Sequence, residues 1–301
     1  MLRITPHTHL FLWETHLTKP NSAKLFHTPL PQGRKQQAIV EQAMAKFPKV
    51  LRNKNIAQDF LKHSFTPASK QWVYKGNGKS GTTSTKKFLF LLEFGVPLST
   101  HLKVTTDINP DVAAHRLGQS GVLRKLIHID NGIGLLDNAL TLTTVRHPTK
   151  RAVSAFHYLC QSHEQAHVWF AGDRLRMNAA VRFDWDTDPH TAKGLEKFLD
   201  YIALEQDQGP ACAINPHWRP QTANVLPQIL RPDLIGRTEN LKQFYQDIAN
   251  RLDSPLPTDW DMPHANKAAF SQSWPDVLTP ASMTRIRDVY AADFERFDYE
   301  P

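Results

Sequence analysis

The stretch from Gln71 to Phe94 constrains this chain more than any other. Gln71-Trp72-Val73-Tyr74-Lys75 reads as a strand, Gly76 to Gly81 as a glycine-rich turn, and Thr82 to Phe94 as a helix stopped by Gly95 and Pro97. The same alternation returns downstream. Thr141-Leu142-Thr143-Thr144-Val145 is β-branched and reads as a buried strand. Pro148 to Cys160 follows with helical spacing through Ala152, Val153, Phe156 and Leu159. Leu234-Ile235 is a short strand with a helix over Thr238 to Leu252 behind it. Strands alternating with helices predict an α/β fold, with a mostly parallel sheet flanked by helices. In such sheets ligands bind at the carboxyl ends of strands.

Other elements follow from local signals. Ser99 to Thr105 could be a second strand, with His101 near its end. Thr191 to Gln206 is an amphipathic helix. Thr279 can cap a final helix with Pro280 in its first turn, ending near Phe294. Residues 1–35 are rich in Thr, His and Pro and show no period. Gln36 to Phe65 has helical spacing, broken at Pro48 and resumed from Ile56 to Phe65. The expected division is an N-terminal extension over 1–65, partly helical, and one domain over 66–301.

The turn Lys75-Gly76-Asn77-Gly78-Lys79-Ser80-Gly81-Thr82-Thr83-Ser84 has the chemistry of a phosphate site. Its glycines let backbone N–H groups face an anion without a Cβ in the way. The helix N-terminus adds partial positive charge. Lys79 adds a full charge, and Ser80, Thr82, Thr83 and Ser84 offer hydroxyls. The core expected is therefore P-loop-like and nucleotide-binding. A nucleotide-hydrolysing P-loop needs Gly-x-x-x-x-Gly-Lys-Ser/Thr. Gly78-Lys79-Ser80 fits its end, but the first glycine would fall at Val73, inside the strand. A plain flexible turn before an ordinary helix is the bland alternative.

Composition adds bounds. The 301 residues suffice for one large domain, and the net charge of +7 suits an anionic ligand without naming it. Two cysteines, Cys160 and Cys212, are too few for a disulfide framework or a cysteine-built zinc site. They read as reduced thiols of a cytoplasmic protein. No apolar run is long enough to span a bilayer, no leader is expected, and no residue cluster points to a metal.

At the end of the 141–145 strand stands Arg146, and Ser154 follows eight residues later. A guanidinium at a strand end can pair with phosphate oxygens. Ser154, two turns into the next helix, can face the same point.

These motifs carry a resemblance. Lys79-Ser80-Gly81-Thr82-Thr83 resembles the 5′-phosphosulfate loop of the sulfotransferase superfamily, which uses 3′-phosphoadenosine 5′-phosphosulfate (PAPS). That loop usually has Pro before the Lys, where this chain has Gly78. Val145 to Phe156 resembles the superfamily's 3′-phosphate motif, with His147 in place of the usual acid. His217-Trp218-Arg219-Pro220-Gln221, Gly236-Arg237-Thr238-Glu239-Asn240-Leu241, and the tail from Asn266 and Lys267 to Tyr299 resemble blocks of the carbohydrate branch. The Golgi members' membrane anchor and later cysteines are missing, as in a soluble bacterial-type member.

The resemblance implies a sulfuryl transfer enzyme. Gly78, Lys79, Ser80, Gly81, Thr82, Thr83, Ser84, Arg146 and Ser154 would hold the donor, releasing adenosine 3′,5′-bisphosphate and using no metal. Lys79 would act in catalysis. His101 would be the base, with Asp107 and His128 as lesser candidates. His217, Trp218, Arg237 and Lys267 would touch acceptor or donor, the acceptor being a hydroxyl of a carbohydrate or glycoconjugate. Trp218 is equally readable as a core aromatic, and His217 as a hydrogen-bonded structural histidine. Two other classes stay open. A P-loop kinase or NTPase would need Mg²⁺ and an acidic ligand at a strand end. A non-catalytic nucleic-acid-binding protein would need a basic stripe with stacking aromatics. Neither a nucleic acid nor a membrane span is expected.

Overall fold

Strand β2 (Trp72–Lys75) lies at the middle of a five-stranded sheet ordered β3-β1-β2-β4-β5. The computed structural model describes residues 25–28, 35–102, 108, 112–256 and 276–301. β4 (Leu140–Val145) runs parallel to β2, with Trp72 beside Leu140 and Lys75 beside Thr143. β5 (Leu234–Arg237) runs parallel to β4, with Val145 beside Arg237. Three strands therefore end at one edge, and the loops that follow them share that edge.

The other half of the sheet corrects the expectation of a mostly parallel arrangement. β1 (Ser64–Pro67) is antiparallel to β2 and to β3 (Leu123–Lys125), so the sheet is mixed. The physical reason is the short connection between β1 and β2, where Lys70 takes a left-handed φ of +58°. Only an antiparallel pair can be joined by so few residues. The helix expected through Phe65 stops earlier: α1 spans Lys35–Lys46 and α2 Lys54–Lys62. The His63 amide closes α2 on the Asp59 carbonyl, and Ser64 begins the strand. The strand expected from Ser99 is absent over its described part, 99–102.

The remaining helices follow chain order. They are α3 (Thr82–Phe94), α4 (Ala113–Arg116), α5 (Pro148–Glu164), α6 (Ala171–Val181) and α7 (Ala192–Gln208). After them come α8 (Gln221–Val225), α9 (Pro227–Leu230), α10 (Leu241–Arg251), α11 (Pro280–Val289) and α12 (Ala291–Arg296). Caps explain several boundaries. Gly95 ends α3 with φ +70°, its amide donating to the Leu91 carbonyl. Thr279 and Ser282 form a reciprocal capping box at α11, with Pro280 at the first position.

Alternation along β2 divides the core. Trp72 and Tyr74 face a layer with Phe88 and Leu89 of α3 and Phe244, Tyr245 and Ile248 of α10. Val73 faces the opposite layer, where Ile39 and Val40 of α1 and Phe60 and Leu61 of α2 pack with Val145. A third cluster joins α5, α6, α7 and α11 around Phe156, Phe198, Trp218 and Tyr290. No helix among the described residues is long and apolar enough to cross a membrane.

Candidate active site

The parallel edge of the sheet opens into a cavity of about 980 Å³. The loop from Gly76 to Gly81 forms one wall, and α3 starts at its end. Lys79 takes φ +62° and Gly81 φ +73°, so the backbone turns twice through the left-handed region. Gly81 occupies the N-cap position and has no side chain to accept from the first-turn amides. A helix start without its own cap presents donors and partial positive charge to an anion.

Asn77 and Gln221 build the floor under this loop. Asn77 Oδ1 accepts from Asn224 Nδ2 at 3.0 Å, and its Nδ2 donates to the Thr144 carbonyl at 3.0 Å. Gln221 Oε1 accepts from the Arg146 amide at 2.9 Å, and Gln221 Nε2 donates to the Arg146 carbonyl at 2.8 Å. One amide side chain thus fixes the end of β4. Arg151 is 1% exposed and donates to the carbonyls of Gly78 (2.9 Å), Arg219 (2.8 Å) and Pro216 (3.1 Å). It ties α5 to the glycine loop and to the turn before α8. A Cβ at Gly78 would lie 2.7 Å from the Pro216 carbonyl oxygen, which explains why glycine stands before Lys79.

The structure brings together most of the residues singled out by sequence. Gly78, Lys79, Gly81, Thr82, Thr83, Ser84, Arg146, Ser154 and His217 all line the cavity. Lys79 Nζ lies 4.0 Å from the centre of the Tyr158 ring, and Arg146 Nη1 reaches the Lys79 carbonyl at 3.5 Å. Burial, then the charges of Arg146 and Arg151, pulls the Lys79 amine down to about 7. Such an environment stabilises an arriving anion, because the anion removes the mutual repulsion of the cations.

Five residues are placed differently. Ser80 is fully buried and donates to Gln221 Oε1 at 3.0 Å, so its hydroxyl braces the loop from behind. Trp218 is 0% exposed, between Phe170 and Phe198, and offers no face to the cavity. Arg237 points away from the cavity, donating to the Phe297 carbonyl at 2.7 Å and lying 4.7 Å over Tyr299. His101 is exposed on an irregular segment and is not part of the cavity wall. His128 pairs with Gln36 at 3.1 Å, also outside that wall. Their common reason is that local sequence does not fix which distant segment a side chain packs against. Lys267 and Asp107 lie outside the described residues.

His217 does reach the wall. Its Nδ1 pairs with Asn215 Oδ1 at 2.8 Å, and burial, with Lys79 and Arg151 nearby, pushes its pKa down to about 3. Burial and these two cations disfavour the protonated ring.

Sequence reasoning missed several wall residues. Lys75 is 1% and Lys86 6% exposed, both in the cavity wall, over the rings of Phe60 and Phe65. Neither has a carboxylate within ion-pair distance among the described residues. Burial pulls each amine down to about 7. Thr149 Oγ1, also in the wall, is buried without a hydrogen-bond partner among the described residues. Buried polar groups are nearly always satisfied, so an orphan here fits a ligand oxygen. Helical spacing from Ser154 could have found Tyr158, one turn further on.

A family model described as Sulfotransferase family matches residues 62–300, from the end of α2 to the tail. The chain belongs to that family, whose activity is sulfuryl transfer. No curated protein and no solved structure gives a significant match.

Proposed function

We propose that this protein moves a sulfuryl group from PAPS to a hydroxyl acceptor, releasing adenosine 3′,5′-bisphosphate. One observation carries the reading. A single cavity gathers Lys79, Thr82, Thr83 and Ser84 from the first strand–helix unit with Arg146, Thr149 and Ser154 from the second. The two units follow adjacent parallel strands, so two anion sites face one space. A donor with phosphates at both ends of its ribose needs such a pair. Gly81 and the first turn of α3 hold the 5′-phosphate. Arg146 and Ser154 hold the 3′-phosphate, which separates this donor from ATP. Lys79 neutralises charge growing on the bridging oxygen as the sulfur–oxygen bond to the nucleotide breaks.

The kinase alternative needs a carboxylate metal ligand at a strand end. The residue that follows β4 is instead Arg146, held by Gln221. The acceptor assigned is a carbohydrate or glycoconjugate hydroxyl. Its support is the likeness of the 217–221 and 236–241 blocks to the carbohydrate branch, with Trp218 serving as scaffold. Cys160 and Cys212 are free thiols, which suits a cytoplasmic location.

Two measurements test the reading. Calorimetric titration compares adenosine 3′,5′-bisphosphate with ATP–Mg²⁺ and duplex DNA, and only the first is expected to bind tightly. Radiolabelled PAPS is then offered with a polysaccharide, a glycolipid, a small sugar and a phenol. Tighter binding of ATP–Mg²⁺ or DNA, or no transfer to any acceptor, would sink the assignment.

A further inference from the structure

The sheet edge that carries the cavity runs on past the donor motifs. β1 is antiparallel to β2, so its first residues stand at the edge where β2 ends, with Ser64 beside Lys75. β3 is antiparallel to β1 in turn, which brings its last residue, Lys125, beside Phe65. His63 and Phe65 line the cavity there, and Lys86 of α3 lies against Phe65. The motifs assigned to the donor follow β2 and β4, so the β1 end is left for the second substrate.

Lys86 is 6% exposed, and its Nζ lies 3.9 Å from the centre of the Phe65 ring. Helical side chains lean toward the N-terminus of their helix, and α3 begins at this edge. The amine has no carboxylate within ion-pair distance among the described residues. Nor is it one of the side-chain atoms closed off from water without a partner, so it opens on the cavity. An aromatic ring offsets only part of the cost of burying an ammonium. An arriving anion would offset the rest.

The other lysines of the wall have different surroundings. The charges of Arg146 and Arg151 act on Lys79, which places its amine on the donor side. The Asp59 carboxylate favours the ammonium of Lys75. The charge acting on Lys86 is that of another cation, Lys125. Glu239 is the one carboxylate among the described residues of the wall, and it belongs to the β5 side, accepting from the His147 amide at 3.1 Å. The β1 end is therefore cationic, with no acid in its wall among the described residues.

We propose that the acceptor carries an anionic group near its reacting hydroxyl, a carboxylate or a sulfate or phosphate ester, and that Lys86 binds this group. The proposal rests on the sulfuryl-transfer reading above and narrows its acceptor class. The three groups share negative charge and acceptor oxygens, which an ammonium meets as a point charge with charge-assisted hydrogen bonds. Lys125 adds to the same field from β3. An acceptor without the group leaves the ammonium facing Phe65 alone, so discrimination comes from the contact left unmade.

The test uses the full chain with radiolabelled PAPS. Cellohexaose is compared with derivatives that carry a carboxylate, a sulfate or a phosphate at C6. An anionic form is expected to exceed the neutral one about tenfold in kcat/KM, and the best of the three identifies the group. Lys86→Met keeps the stem against Phe65 and removes the charge, and it is expected to lower that ratio about tenfold, through acceptor KM. Affinity for adenosine 3′,5′-bisphosphate should stay within a few fold. Lys150→Met makes the same charge change at an exposed position of the wall beside the Arg146 motif, and should leave the ratio within about twofold. Where Lys86→Met does not fold, Lys125→Met is read instead, with a loss of about threefold expected and an unchanged ratio overturning the proposal. A wild-type protein without preference for any anionic form would overturn it too. So would a folded Lys86→Met protein with an unchanged ratio, or equal losses in Lys86→Met and Lys150→Met. If PAPS gives sulfuryl to no acceptor, the sulfuryl reading fails, and calorimetry of the same sugars against the nucleotide-loaded protein reads the subsite alone. Tighter binding of an anionic sugar, lost in Lys86→Met, then upholds the subsite, and its absence removes the subsite as well.

Discussion

Lys79 holds a left-handed backbone, a cation over Tyr158 and a pKa near 7 in one residue. Lys79→Ala is expected to lower kcat by about 10²–10³, the scale for one lost transition-state contact. Donor affinity should fall less, and steady-state rates beside calorimetric binding check this. An unchanged kcat would remove Lys79 from the chemistry. Arg146→Ala should weaken adenosine 3′,5′-bisphosphate by about 1.5–3 kcal/mol, as for a hydrogen bond to a charged group. Adenosine 5′-phosphosulfate, lacking the 3′-phosphate, should lose little. Equal losses would show that Arg146 does not read that phosphate. Both residues were legible in the sequence, because a glycine turn and a strand end are local signals. Arg151 and Gln221 were not, since their roles come from carbonyls and amides 65 to 75 positions away.

At the scale of elements, the glycine loop and the turn from Asn215 to Pro220 act as one unit. Gly78 touches Pro216, and Arg151 bonds both segments. Gly78→Ala places a Cβ against a backbone oxygen at 2.7 Å, so one of the two segments must shift. Overpacking of this kind costs about 1–3 kcal/mol. We expect a lower Tm together with weaker donor binding, measured by thermal melts and calorimetry on one sample. Retained donor affinity would mean that the loop path does not depend on the turn. Trp218→Ala removes the centre of the α5–α7–α11 cluster and should cost about 3–5 kcal/mol. Acceptor KM of the folded fraction should be unchanged. A raised KM with little change in Tm would restore the stacking role that the sequence suggested. Helices α3, α5 and α7 were legible from periodicity and caps. β1 and β3 were missed, because strands of four and three residues carry too few apolar positions for a period of two to register.

Across the whole molecule, three buried lysines, from β2, the glycine loop and α3, converge on one cavity in a chain of net charge +7. Lys75, Lys79 and Lys86 are each lowered from 10.5 to about 7. The unfolded chain therefore binds more protons than the folded one between those values. The free protein should gain stability as pH rises through that window and lose it as pH falls toward 7. An anionic donor favours the charged amines, so binding should take up protons and weaken from pH 7 to 9. Calorimetry in buffers of different ionisation enthalpy measures that uptake. A heat independent of buffer would show that these lysines do not change protonation on binding.

The sequence alone determined the two strand–loop–helix units and singled out Lys79, Thr82, Thr83 and Ser84 with Arg146 and Ser154, which the fold brings to one cavity. These follow from backbone freedom, capping and the spacing of charged groups, all of which act over a few residues. Tertiary structure decided the rest. It turned Ser80 inward, buried Trp218, sent Arg237 to the C-terminal tail and set His157 against His190. It also made the sheet mixed through a hairpin that no local pattern announced. The reason is directional: the facing of a side chain depends on which distant segment packs against it, and that is fixed only when the layers close.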